Sequence, residues 1–238
     1  MLVLSCELEA ASCKLLIMYK ITGIKNKDKQ GKRVNIFVDG RLVLTLNAET
    51  AILEKLKIDS ELDSARINKL TEDDQFRRCM DTAVRFLEYR PRSESELRDR
   101  LQRRGFIVDN IDSTINKLKE QGLVDDSSFA RFWTENRESF SPRSQYFTRR
   151  ELAQKGVAPE IAEEAVSSID DTESAYRTAL QRASRIRAVD YRDFRNRLGG
   201  YLRRRGFGYE TINKTVEKIW QEQAGVKTSP SENSKRGS

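Results

Sequence analysis

Histidine is absent from this chain of 238 residues, and cysteine occurs three times, at Cys6, Cys13 and Cys79. The first absence removes the commonest general base and the commonest transition-metal ligand. No phosphate loop, nucleophile elbow or zinc-ligand spacing takes their place. The paired carboxylates Asp125-Asp126 and Asp170-Asp171 stand where helices are expected to start, a position in which acids cap free amides. The expectation is a protein without catalysis, cofactor or metal. Three cysteines with no paired framework suit a reducing cytoplasm. No apolar stretch is long enough to span a membrane.

What is present is a period. Leu101-Gln102-Arg103-Arg104-Gly105-Phe106, Leu152-Ala153-Gln154-Lys155-Gly156-Val157 and Leu202-Arg203-Arg204-Arg205-Gly206-Phe207 share one pattern, with glycines 51 and 50 residues apart. Each copy has the chemistry of a helix end, with cations at the negative end of the dipole and a glycine free to turn left-handed. Gly105, Gly156 and Gly206 are therefore read as structural turns. Beyond each glycine, apolar residues return in steps of four and three: Ile111, Ile115 and Leu118; Ala162, Val166 and Ile169; Ile212, Val216 and Ile219. These are single helix faces. Leu97 and Leu101, Thr148 and Leu152, and Leu198 and Leu202 mark a helix before each turn, and further helices are expected near 73–89, 127–138 and 172–187. Ser93 with Glu96 reads as a capping box, Ser141-Pro142 as an N-cap with an N1 proline, and Pro159 as another N1 proline. Gly199-Gly200, inside the last of the second helices, marks either close packing or a bend.

The first seventy residues differ. Val34, Ile36 and Val38 alternate up to Asp39-Gly40, and Leu42, Leu44 and Leu46 alternate after it, the pattern of a β-hairpin with a primed turn. Tyr19 to Ile24 can add a third strand, and short helical segments near Ala48–Lys57 and Leu62–Leu70 follow. The fold class is thus mainly α, an elongated curved array of three tandem three-helix repeats behind a small α+β module. The expected divisions are 18–71 for that module, 72–124, 125–170 and 171–223 for the repeats, and 224–238 for a disordered tail. Residues 1–17 fit neither pattern and are read as a disordered extension or a mis-assigned start, with the fold opening at Met18.

Charge is unevenly spread about a net +7. Residues 85–105 carry seven arginines against four acids and 185–205 eight against two, whereas 156–176 carries six acids and no base. The planar guanidinium fork suits phosphates and carboxylates at interfaces. A repeated basic surface on a helical array fits a regularly charged partner, either bare DNA or a protein filament on DNA.

The run Ala83-Val84-Arg85-Phe86-Leu87-Glu88-Tyr89-Arg90-Pro91-Arg92-Ser93-Glu94-Ser95-Glu96-Leu97, continuing to Leu101 and Gly105-Phe106, resembles the opening repeat of the RecX regulatory proteins. Gln121 to Asp126, Phe129-Ala130 and Lys155-Gly156 resemble that family's middle unit, and Leu202 to Phe207 its last. The resemblance covers roughly 18–220 and departs from the family at Val157, at Gly199-Gly200 and in both extensions. It implies a cytoplasmic, monomeric, non-catalytic modulator that binds the RecA–DNA filament. Inhibition of the filament's ATPase, strand exchange and coprotease activity, in recombination, DNA repair and the SOS response, is implied with it. Binding to RecA or DNA is placed on Arg90, Arg92, Arg98, Arg143, Arg149, Arg150, Arg203, Arg204 and Arg205. The competing reading is a basic helical protein that binds DNA directly, and a third is an adaptor between other proteins.

Overall fold

The computed structural model describes residues 18–227, in two compact units that meet in sequence at Asp81 and Thr82. The expectations for residues 1–17 and 228–238 fall outside the described residues. Within the segment expected to be a disordered tail, Ala224 to Lys227 belong to helix α10 instead.

In the first unit β1 (Met18–Asn26), β2 (Arg33–Val38), β3 (Arg41–Asn47) and β4 (Glu61–Asp63) form an antiparallel sheet in the order β3-β2-β1-β4, with α1 (Ala48–Leu53) after β3. Asp39 and Gly40 have φ of 49° and 75°, the two left-handed residues of the primed turn that the alternation predicts. Ile21, Ile36, Leu44, Leu46, Leu62 and Leu70 close the core. Leu42 breaks the expected alternation. A one-residue register shift pairs Ile36 with Leu44 but Phe37 with Leu42, and this bulge turns Leu42 outward to 55% exposure. Strand β4 carries no alternation of its own and escaped the sequence reading. It pairs Leu62 with Tyr19.

The helices expected at 62–70 and 73–89 are one, α2 (Ser64–Tyr89). Thr71 and Asp74 lie at the join of the two expected segments. The Thr71 hydroxyl donates to the Ile67 carbonyl, and buried Asp74 accepts from Arg33 Nη2 (2.8 Å) and the Asn47 amide (3.0 Å). A buried carboxylate is tolerable only with such partners.

The second unit continues as α3 (Glu94–Arg103), α4 (Val108–Glu120), α5 (Asp126–Phe140), α6 (Gln145–Gln154), α7 (Pro159–Val166), α8 (Asp171–Ala183), α9 (Tyr191–Arg203) and α10 (Tyr209–Lys227). Repeat 1 comprises the end of α2 with α3 and α4, repeat 2 comprises α5 to α7, and repeat 3 comprises α8 to α10. The apolar stripes after each glycine are buried throughout. In repeat 2 they pack with Phe129, Ala130 and Leu152; in repeat 3 with Ala175, Ala179, Phe194, Leu198 and Leu202.

Each motif leucine has a specific acceptor role. Its carbonyl takes the amide of the residue after the glycine: Phe106 on Leu101 (3.4 Å), Val157 on Leu152 (3.1 Å) and Phe207 on Leu202 (3.4 Å). The glycine amides bond to Gln102, Ala153 and Arg203 at 2.9, 3.0 and 2.9 Å, and φ at Gly105, Gly156 and Gly206 is +84°, +75° and +88°. These are Schellman closures, used three times. Helix α9 runs unbroken through Gly199-Gly200. A Cβ on Gly199 would lie 3.4 Å from Ile212 Cγ2, so this glycine serves close packing of α10. One N-cap differs from expectation: Ser144, not Ser141, caps α6, accepting from the Phe147 amide, while Ser141 ends α5.

Candidate binding surface

The repeats are joined by one arrangement used twice. At the first joint, Ser93 accepts from the Glu96 amide and donates its own hydroxyl to the Lys155 carbonyl at 2.6 Å. The Lys155 ammonium reaches Glu96 (2.9 Å), and the Glu94 amide donates to Asp126 (2.8 Å), the first residue of α5. At the second, the Ser144 amide donates to the Arg205 carbonyl (3.2 Å), Arg205 Nη1 donates to Ser141 Oγ (3.0 Å), and the Gln145 amide donates to Asp171 (2.7 Å).

Each joint needs its glycine. A Cβ on Gly156 would fall 2.3 Å from Ser95 Cβ, and one on Gly206 2.6 Å from both Phe147 Cδ2 and Ser144 Oγ. Gly105, at the start of the array, has nothing within 4 Å. The acidic pairs divide their labour. Asp125 and Asp170 are the N-caps of α5 and α8, whereas Asp126 and Asp171 hold the joints, and burial raises both joint carboxyls above the ordinary range.

Six of the nine arginines singled out from the sequence have partners inside the protein. Arg90 grips Glu96 through both terminal nitrogens, at 2.9 and 2.8 Å. Burial alone would raise the Glu96 carboxyl, but hydrogen bonds from Arg90 and Lys155 outweigh it and hold it at about 2. Arg98 pairs with Glu94 and Asp112, and Arg149 with Glu163. Arg143 reaches Glu151 at 2.9 Å from the opposite side to Arg137 at 2.7 Å, and Trp133 Nε1 donates to the same carboxylate. Arg205 lies within the second joint. Arg143 and Arg205, expected to be exposed, are partly buried instead, because each closes a polar contact.

Arg92 is the most buried, at 6% exposure. Its Nε donates to the Phe86 carbonyl at 3.0 Å while its Nη1 has no partner. Burial, then repulsion from Arg90 and Arg100, pulls its pKa down.

Arg150, Arg203 and Arg204 remain exposed with no hydrogen-bonding or ionic partner among the described residues. Arg103 shares that state, although the sequence reading omitted it. Also omitted were Arg100 and Arg104, which with Arg92 surround the Phe86 ring at 5.5, 5.9 and 5.7 Å from its centroid. Charge density alone could not sort these classes, since exposed and paired arginines alternate along the same helices. Aligning the copies on their glycines separates some of them: Arg98 and Arg149, each seven residues before its glycine, face acids seven residues after it.

The described residues hold no cluster of three metal-ligating side chains, and no helix among them is long and apolar enough to cross a membrane. Comparison with known proteins matches the first, second and third three-helix domains of RecX to residues 79–118, 125–166 and 169–216, together more than half of the chain. Regulatory protein RecX of Clostridium botulinum strain Eklund 17B is 28% identical over 205 residues, covering 84% of this chain and 96% of that protein. The protein of the same name from Clostridium perfringens strain SM101 is 29% identical over 208 residues, covering 85% and 97%. A crystal structure of regulatory protein RecX superposes with a TM-score of 0.60 at 23% identity, over 84% of this chain and 99% of the other. RecX from Lactobacillus salivarius gives 0.55 at 25% identity, over 63% and 99%. With three family domains matched in tandem and the same joint linking each to the next, the chain belongs to the RecX family of regulatory proteins.

Proposed function

We propose that this protein acts in the cytoplasm as a non-catalytic regulator that binds the RecA–DNA filament and restrains its ATP hydrolysis, strand exchange and coprotease activity. Family membership supports the regulatory role. The observation that carries the binding reading is that each repeat leaves exposed guanidiniums beside its glycine turn without an internal hydrogen-bonding or ionic partner, among them Arg103, Arg150, Arg203 and Arg204. Repeated joints fix the spacing between these contributions. Such a set matches a partner whose charge recurs at regular intervals.

The test is ATP turnover by the cognate RecA on single-stranded DNA, followed with increasing protein. Wild type should suppress turnover. R150E/R203E/R204E should require about tenfold more protein at an unchanged urea midpoint, as expected when exposed interface charges are reversed. Equal affinity for bare and RecA-coated DNA, with turnover untouched at saturation, would leave the direct DNA-binding reading instead.

A further inference from the structure

Repeats 1 and 2 can be compared position by position from their glycines. Thirteen residues before the glycine stand Arg92 and Arg143, each following a proline and preceding the capping serine. Five residues before it, repeat 2 has Glu151 and repeat 1 has Arg100. Nineteen before it, repeat 2 has Arg137 and repeat 1 has Phe86. In repeat 2 this gives a closed ionic group, with the Glu151 carboxylate between Arg143 and Arg137 at 2.9 and 2.7 Å. In repeat 1 the central carboxylate is replaced by a third cation. Arg92, Arg100 and Arg104 gather round Phe86, none of them paired with a carboxylate. Glu96, the acid near Arg92, is already held by Arg90 and Lys155.

What differs is the carboxylate. Arg92 Nη1 is buried without a partner; its counterpart Arg143 also has one buried unpartnered nitrogen, Nε, but its Nη1 has Glu151. A guanidinium buried beside like charge is costly unless an anion joins it. The aromatic face beneath offsets part of that cost, and the lowered pKa of Arg92 has the same origin. Arg104 points to the same chemistry. Its counterparts Lys155 and Arg205 sit in joints with the preceding repeat, and Lys155 there takes a carboxylate; Arg104 and the open turn at Gly105 have no such neighbour.

We infer that Arg92, Arg100 and Arg104, around Phe86, form a binding site for a carboxylate side chain of a partner protein, which enters where repeat 2 carries its own Glu151. Both templates within the chain, Glu151 on Arg143 and Glu96 on Lys155, are carboxylates, and this favours acidic protein over nucleic acid as occupant. The inference deepens the filament reading by naming the chemistry of one contact, and it rests on that reading only for the partner's identity.

The test supplies the missing anion from within. Arg100→Glu recreates the arrangement of repeat 2 and should fill the site, while Arg100→Gln removes one cation without filling it. The probe is a capped peptide of alternating glutamate and alanine, titrated at ionic strength fixed with chloride, with a single-stranded dT oligonucleotide of matched charge as the second arm. Wild type should bind the peptide, R100E roughly tenfold or more weakly, and R100Q in between, with urea midpoints no lower than wild type. Equal peptide affinity in all three proteins overturns the inference. So does loss of the oligonucleotide alone, which assigns the cluster to phosphate, or loss of self-association in R100E, which assigns it to a second copy of this chain. RecA ATP turnover is read separately: R100E that loses the peptide yet still suppresses turnover supports the site and removes it from the filament contact.

Discussion

Alanine at each of the three turn glycines should separate two costs that coincide in sequence. All three residues have φ between +75° and +88°, so each alanine incurs the left-handed penalty of about 1 kcal/mol. At Gly105 nothing else is in reach, and that penalty is the whole effect. At Gly156 the new Cβ also falls 2.3 Å from Ser95 Cβ, forcing α3 away and straining the bond from Ser93 to the Lys155 carbonyl. Overpacking of about 1–2 kcal/mol and a hydrogen bond of about 1 kcal/mol bring the total to about 3 kcal/mol. Gly206, with Phe147 and Ser144 equally close, should behave the same way. With a urea slope of about 2 kcal/mol per M, the midpoint should fall by about 0.5 M for G105A and about 1.5 M for G156A and G206A. Ser95→Gly removes the clashing atoms, so S95G/G156A should recover about 1 kcal/mol or more of coupling in a double-mutant cycle. If G105A costs as much as G156A, or the cycle shows no coupling, the joint does not depend on the glycine as described.

Three further outcomes follow from the polar contacts. Glu96, held at about 2 against an ordinary 4.5, has a depressed folded pKa, so its contribution is present above pH about 4.5 and is lost as pH falls towards about 2. After screening by solvent at this half-buried site it amounts to about 1–2 kcal/mol, and in urea unfolding across that window E96Q should flatten the pH dependence by this share. At Asp126 burial disfavours the charged form, while one carboxylate oxygen accepts from the Glu94 amide. D126N should therefore match wild type or exceed it by up to about 1 kcal/mol, whereas D126A should lose about 1–2 kcal/mol by the same measurement. R143E places a second carboxylate beside Glu151 and should cost about 2 kcal/mol or more, while R203E should stay within about 0.5 kcal/mol in thermal melting.

Local rules made much of this architecture readable from composition and spacing. The glycine period, the stripes at Ile111, Ala162 and Ile212, and the Asp39-Gly40 turn obey constraints acting within a few residues, and the structure follows them. The misreadings lie where a distant partner decides. Ser141 and Ser144 are equally good caps on paper. The cap goes to Ser144 because the amide chain of α6 starts there, leaving the Ser141 hydroxyl for Arg205, sixty-four residues away. Leu42 faces outward because of a register shift that only β2 imposes. Helix α2 stays whole because Asp74 is held by strands rather than by a turn. The arginines were hardest to sort. A guanidinium on Glu163 and one with no partner, at Arg149 and Arg150, are neighbours in sequence and differ only in the direction they leave the helix.

The joints speak to the main chain. Their acceptors at Lys155 and Arg205 are carbonyls, their donors at Glu94, Ser144 and Gln145 are amides, and their one steric demand is the absence of a side chain at Gly156 and Gly206. Three-dimensional spacing between repeats thus hangs on a handful of letters, a glycine, a serine and an aspartate per joint, while most other positions on those helices are released from the task. Outward side chains on those helices can therefore be replaced without moving one repeat relative to the next.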